Sequence, residues 1–113
     1  MKINQYEIWI ANLNPRLGTE SGKIRPVVVI HTDLLNNIHP STIICPITTN
    51  LKPEAEILRV HLMKGIANLK EDCDILIDQV RAINNKRFSK KIGKLPENIV
   101  SVIQYNMSVI LDL

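Results

Sequence analysis

Apolar residues fall into short runs separated by turn formers, and that rhythm predicts a mainly β protein. Glu7-Ile8-Trp9-Ile10-Ala11-Asn12-Leu13 is short and rich in β-branched and aromatic residues, which predicts a strand that Asn14-Pro15 ends. Residues 16–23 hold Gly18 and Gly22 among Ser, Thr and Glu without a hydrophobic period, and predict a loop. Pro26-Val27-Val28-Val29-Ile30 is continuous apolar sequence, as in a strand buried on both faces, with Pro26 tolerable only at its first position. After a turn-like stretch from Asp33 to Pro40, Thr42-Ile43-Ile44-Cys45-Pro46-Ile47 predicts a third strand, in which Pro46 requires a bulge or an edge facing no partner. From Ile57 to Leu62 the residues Ile57, Arg59 and His61 alternate with Leu58, Val60 and Leu62, the period of a half-buried strand, and Asp74 to Val80 makes a fifth. Beyond Pro96 and Glu97 the period changes. Ile99, Val102, Ile103, Asn106, Met107 and Ile110 recur at helical spacing, so an amphipathic helix closes the chain. Strands followed by one packing helix predict a strongly bent antiparallel sheet or small barrel.

Composition narrows the class. The 113 residues suit one domain, 1–113, able to bury roughly two thirds of the surface of the unfolded chain. With 45% hydrophobic and 22% charged residues it reads as globular and not as disordered. Charged residues interrupt every apolar run before the roughly 20 positions that a bilayer span needs. The start, Met1-Lys2-Ile3-Asn4-Gln5, lacks the apolar core of a signal peptide, so a cytoplasmic protein with no membrane contact is expected. Cys45 and Cys73 sit in apolar surroundings without metal-ligand spacing and read as reduced core residues. The formal charge of +3 favours an anionic partner without naming one. Basic residues concentrate in Arg16 to Arg25 and Arg81 to Lys94, forming one positive face if the fold joins these regions and solvated loop charges if it does not.

The chain has no nucleophile elbow, zincin helix, phosphate loop, dinucleotide fingerprint or Mg²⁺-type carboxylate cluster. His31, His39 and His61 share no ligand spacing, so neither metal hydrolysis nor a cofactor is expected. Polar chemistry gathers instead at strand ends. Arg25 stands where the Gly-containing loop meets the second strand, and Thr48-Thr49 just past the third. If those strands pair, a guanidinium fork and a hydroxyl converge on one anionic group. A guanidinium matches phosphate oxygens bidentately, and a phosphodiester attacked by its own 2′-hydroxyl gathers charge on those oxygens. With a pKa above about 12, Arg25 would act by electrostatics or proton donation, leaving Glu20 or an RNA phosphate to accept the attacking proton. The plainer alternative is that Arg25 pairs with a carboxylate and Thr48 caps a turn.

These residues resemble a known family. Gly18-Thr19-Glu20-Ser21-Gly22-Lys23-Ile24-Arg25-Pro26-Val27-Val28-Val29-Ile30 is similar to the hallmark loop and second strand of MazF/PemK toxins. Pro46-Ile47-Thr48-Thr49 and Asp78-Gln79-Val80-Arg81 resemble their later motifs, and Glu7-Ile8-Trp9 with Leu13-Asn14-Pro15 also match. The resemblance implies a small SH3-like barrel with a C-terminal helix, acting as a homodimer. It further implies metal-independent, sequence-specific cleavage of single-stranded RNA to a 2′,3′-cyclic phosphate and a 5′-hydroxyl, under control of a cognate antitoxin with an acidic disordered tail. Arg25 and Thr48 occupy the positions of the catalytic pair. Thr19, Glu20, Ser21 and Gln79 fall in RNA-binding positions, with Asp78 and Arg81 as weaker candidates. Tyr6 replaces the usual Gly, Ser21 a longer polar residue and His31-Thr32 a commoner Gln-Asn, departures that bear on base preference more than on catalysis. A CcdB-like gyrase poison and a non-catalytic nucleic-acid-binding barrel are the alternatives.

Overall fold

The computed structural model describes residues 2–15, 18 and 23–113. Seven antiparallel strands are followed by one helix: β1 (Glu7–Asn12), β2 (Ile24–Val29), β3 (Ser41–Thr48), β4 (Arg59–Leu62), β5 (Cys73–Leu76), β6 (Arg81–Asn84), β7 (Phe88–Lys94) and α1 (Glu97–Leu111). The sheet runs in the order β4-β5-β3-β2-β1-β7, and β6 pairs with β3 off that path.

The long strand β3 sets the shape. Ser41 to Ile44 pair with β6, whereas Ile47 and Thr48 pair with β5. Between those two ladders lie Cys45 and Pro46, which pair with β2 alone. Pro46 therefore sits where one edge changes partner, which meets the requirement imposed by its missing N–H. Because β3 hands its edge from β6 to β5, the sheet splits and bends there. The expected barrel is not closed, since no ladder joins β4 to β7 among the described residues.

Both faces of the central strands are covered, as the unbroken Val27-Val28-Val29 run requires. On one face Ile8, Val28, Cys45, Ile47, Val60 and Ile75 pack under Val100, Ile103 and Met107 of α1. On the other, Trp9, Val27, Val29 and Ile44 pack with Ile83 and Phe88. The Trp9 and Phe88 rings meet edge to face at 5.9 Å. Cys45 and Cys73 are both free thiols in buried positions.

Several boundaries differ from the sequence expectation. The fifth strand stops at Leu76 and gives way to a 3₁₀ turn over Ile77–Gln79. Val102, assigned to the apolar stripe of α1, is 44% exposed, while Val100 is buried in its place. Residues 81–94, expected as a basic segment without a strand, form β6 and β7 joined by a 3₁₀ turn over Asn85–Arg87. Tyr6 adopts φ +63°, the left-handed region that Gly occupies without strain. It is held there because its N–H donates to the Val29 carbonyl at 2.7 Å and its carbonyl accepts from Leu95 at 3.0 Å.

Candidate active site

The β2–β3 register pairs Val27 with Pro46, Val28 with Cys45 and Val29 with Ile44. Each pair of numbers sums to 73, so carrying the register two residues further sets Arg25 opposite Thr48. Residues directly opposite in an antiparallel pair project from the same face. The two side chains accordingly line one open cleft of about 200 Å³ with Lys23, Ile24, Pro26, Ile47 and Thr49. Both are half-buried, neither sealed in the core nor free in solvent. The Arg25 guanidinium donates through Nη1 to the Ile47 carbonyl at 3.4 Å, which tilts its fork toward β3. The Thr48 hydroxyl accepts from the Asn50 amide at 3.1 Å, which leaves its own proton available to donate.

Arg81 belongs to the same face. It is paired with Ile44, which shares a side of β3 with Pro46 and Thr48, and its guanidinium reaches the Leu13 carbonyl at 3.5 Å. Arg87 donates to the carbonyls of Asn12 and Asn14. The described parts of the two basic regions therefore adjoin at the end of β1, where the Leu13 amide donates to the Lys23 carbonyl and Ile24 lines a cleft with Lys86 and Arg87. Gln79 and the exposed Asp78 lie in the 3₁₀ turn after β5 and do not line the Arg25–Thr48 cleft. Asp78 makes itself felt on the buried Cys45, whose thiol is pushed up to about 12 by burial first and by the Asp78 charge second. That thiol is inert near neutrality. Thr19, Glu20 and Ser21 lie outside the described residues.

Residues 4–111 match the family of PemK-like, MazF-like toxins of type II toxin-antitoxin systems. The chain belongs to this family. The MazF endoribonuclease of Staphylococcus epidermidis is 30% identical over 111 residues, covering 98% of this toxin and 92% of that one. EndoA of Bacillus subtilis strain 168, also an endoribonuclease, is 27% identical over 113 residues, covering 100% and 97%. Among solved structures, MazF of Deinococcus radiodurans superimposes with a TM-score of 0.85 at 18% identity, covering 100% and 99% of the two chains, a likeness of fold.

A second polar cluster in this toxin escaped the sequence reading. Asp74, fully buried in β5, accepts from the Lys52 amide at 2.9 Å, from Arg59 at 3.0 Å and from His61 Nδ1 at 2.6 Å. Burial by itself would raise the Asp74 carboxyl, but the Lys52 amide, His61 and Arg59 outweigh it and hold the group below its ordinary value. The readable signal was the alternation in β4, which puts Arg59 and His61 together opposite the apolar Val60 and Leu62, and the single carboxylate inside the apolar β5. No group of His, Cys, Asp or Glu suited to holding a metal ion occurs among the described residues.

Proposed function

We propose that this toxin is a metal-independent endoribonuclease that cleaves single-stranded RNA sequence-specifically, with Arg25 and Thr48 as its catalytic pair and residues 1–113 acting as one domain. The observation that carries the reading is the shared cleft into which the β2–β3 register brings a guanidinium and a hydroxyl. In the reaction the 2′-hydroxyl oxygen forms a bond to phosphorus while the bond to the 5′-oxygen breaks. Charge builds on the non-bridging oxygens, where the Arg25 fork and the Thr48 proton meet it. The departing 5′-oxygen takes up a proton and the 2′-oxygen gives one up, which leaves a 2′,3′-cyclic phosphate and a 5′-hydroxyl. Arg25 keeps its own proton at any physiological pH and is suited to the donor side of this exchange. Glu20 or a phosphate oxygen is the acceptor.

The same reading extends to partners. The MazF of D. radiodurans has also been solved as a MazE–MazF complex, which this chain matches with a TM-score of 0.79 at 15% identity. An acidic antitoxin tail would occupy the basic face around Arg25, Arg81 and Arg87 in competition with RNA. We take the working form to be a homodimer in the cytoplasm. No helix among the described residues is long and apolar enough to cross a membrane.

The test is to incubate the purified protein with a long single-stranded RNA in EDTA and to sequence the 5′ ends released. Cuts at a short recurring sequence, bearing 5′-hydroxyls, are expected. RNA left intact would overturn the proposal, and activity that returns only on adding Mg²⁺ would replace it with a metal nuclease.

A further inference from the structure

The pairing of four strands aligns more than Arg25 and Thr48. Thr48 is directly opposite Asp74 on β5, and Asp74 is directly opposite His61 on β4. Opposite residues share a face, so Arg25, Thr48, Asp74 and His61 form one row across β2, β3, β5 and β4. The other side of this row is the apolar one, where Ile47, Ile75, Val60 and Leu62 are sealed beneath α1. At neighbouring strand spacings of about 4.8 Å, His61 lies roughly 10 Å from Thr48 and roughly 14 Å from Arg25. That is too far to touch the phosphate in the cleft, and is the separation of a neighbouring stretch of an extended nucleotide chain.

The chemistry of the far end suits an anion. His61 Nδ1 is committed to Asp74, which fixes the ring, and the His61 side chain is 48% exposed. Its second ring nitrogen, Nε2, makes no hydrogen bond within the described residues. In a ring carrying both protons, Nε2–H is a charged donor. The Asp74 charge is matched by Arg59, so a protonated His61 leaves the cluster one positive charge in excess. A phosphodiester is the group that both accepts from Nε2 and cancels that charge.

We infer that His61, positioned by Asp74 and Arg59, is a second RNA-backbone contact that holds a phosphodiester flanking the scissile one. This rests on the endoribonuclease reading above. The contact assists binding and not bond breaking, so its loss falls on the half-saturating concentration and spares the maximal rate.

The experiment is single-turnover cleavage of a single-stranded oligonucleotide containing the mapped cut site, in a series where each flanking phosphodiester in turn is replaced by an uncharged methylphosphonate. His61→Asn keeps an amide donor in the place of Nδ1 for Asp74 but has no Nε2, whereas His61→Ala removes both. For both variants the half-saturating concentration rises about 10-fold, the scale of one hydrogen bond to a charged group, at unchanged maximal rate. One methylphosphonate position weakens the parent by a similar factor and has no further effect on His61→Asn. Parent-like kinetics in His61→Asn would overturn the inference, because a merely structural histidine is rescued by asparagine. Normal RNA kinetics with weakened binding of an acidic peptide would overturn it too, moving the site to an inhibitor. If the parent itself leaves the RNA uncut, the endoribonuclease reading fails first and this one with it.

Discussion

At the scale of single residues, the site depends on geometry that small changes destroy. Arg25→Ala and Thr48→Ala are each expected to lower single-turnover cleavage by about 100-fold or more, the cost of losing one preorganised transition-state contact. Parent-like cutting by either variant in EDTA would remove that residue from the mechanism. Arg25→Lys separates charge from shape: it keeps the cation but loses the planar fork, and most of the Arg25→Ala defect should remain. That Arg25 and Thr48 share one cleft was legible in the sequence because both residues stand at the ends of apolar runs, where a strand delivers a polar side chain to a rim. His61 was not legible in the same way. What marks it is its neighbour on another strand, Asp74, thirteen positions away, and a contact of that kind has no local signature.

At the scale of elements, β1 to β5 and α1 could be read from apolar runs or hydrophobic period, because each buries at least one face. β6 and β7 could not, and the reason is physical. Of the seven residues of Phe88–Lys94 only Phe88 is buried, and the strand lies at the end of the sheet against β1 alone. Lys90, Lys91 and Lys94 there resemble a solvated run, yet charged side chains on an outer strand are the usual guard against unwanted pairing. The register carries little hydrophobic information, and it shifts twice along β1. One β7 position is tightly constrained all the same. A Cβ at Gly93 would come within 2.5 Å of the Ala67 carbonyl oxygen, which is backbone and cannot swing aside. Gly93→Ala is expected to cost about 1–3 kcal/mol, the range of overpacking, read as a lowered denaturant midpoint with an unchanged slope. An unaltered midpoint would mean that the segment around Ala67 yields freely.

At the scale of the whole molecule, two buried carboxylates tie distant segments together and set the response to acid. Glu7 accepts from Trp9 Nε1 at 3.0 Å and from Lys91 at 2.8 Å. Burial alone would raise its carboxyl, but Lys91, Trp9 and Asn4 prevail and lower it. Asp74 is lowered in the same way. A carboxyl whose folded pKa lies below its unfolded one adds stability above the unfolded value, and that stability is lost as pH falls through the folded one. The melting temperature should hold from neutrality down to about pH 4 and then fall steeply as both groups take up protons. Asp74→Asn should flatten that fall and lower stability at pH 7 by about 3–5 kcal/mol, because Arg59 loses its buried partner. A pH profile identical to that of the parent would show that the Asp74 cluster is not a source of acid sensitivity.

The partner exchange along β3 has a thermodynamic corollary. A strand that carries one ladder up to Ile44 and another from Ile47 is a seam, and the two halves of the sheet meet across it. An oligonucleotide running from the β2 edge to the β4 edge would lie over that seam like a splint, gripping both sides at once. Ligation of the intact form alone would then brace the fold against melting, by about 2.7 kcal/mol when an uncleavable 2′-deoxy analogue is present at one hundred times its dissociation constant.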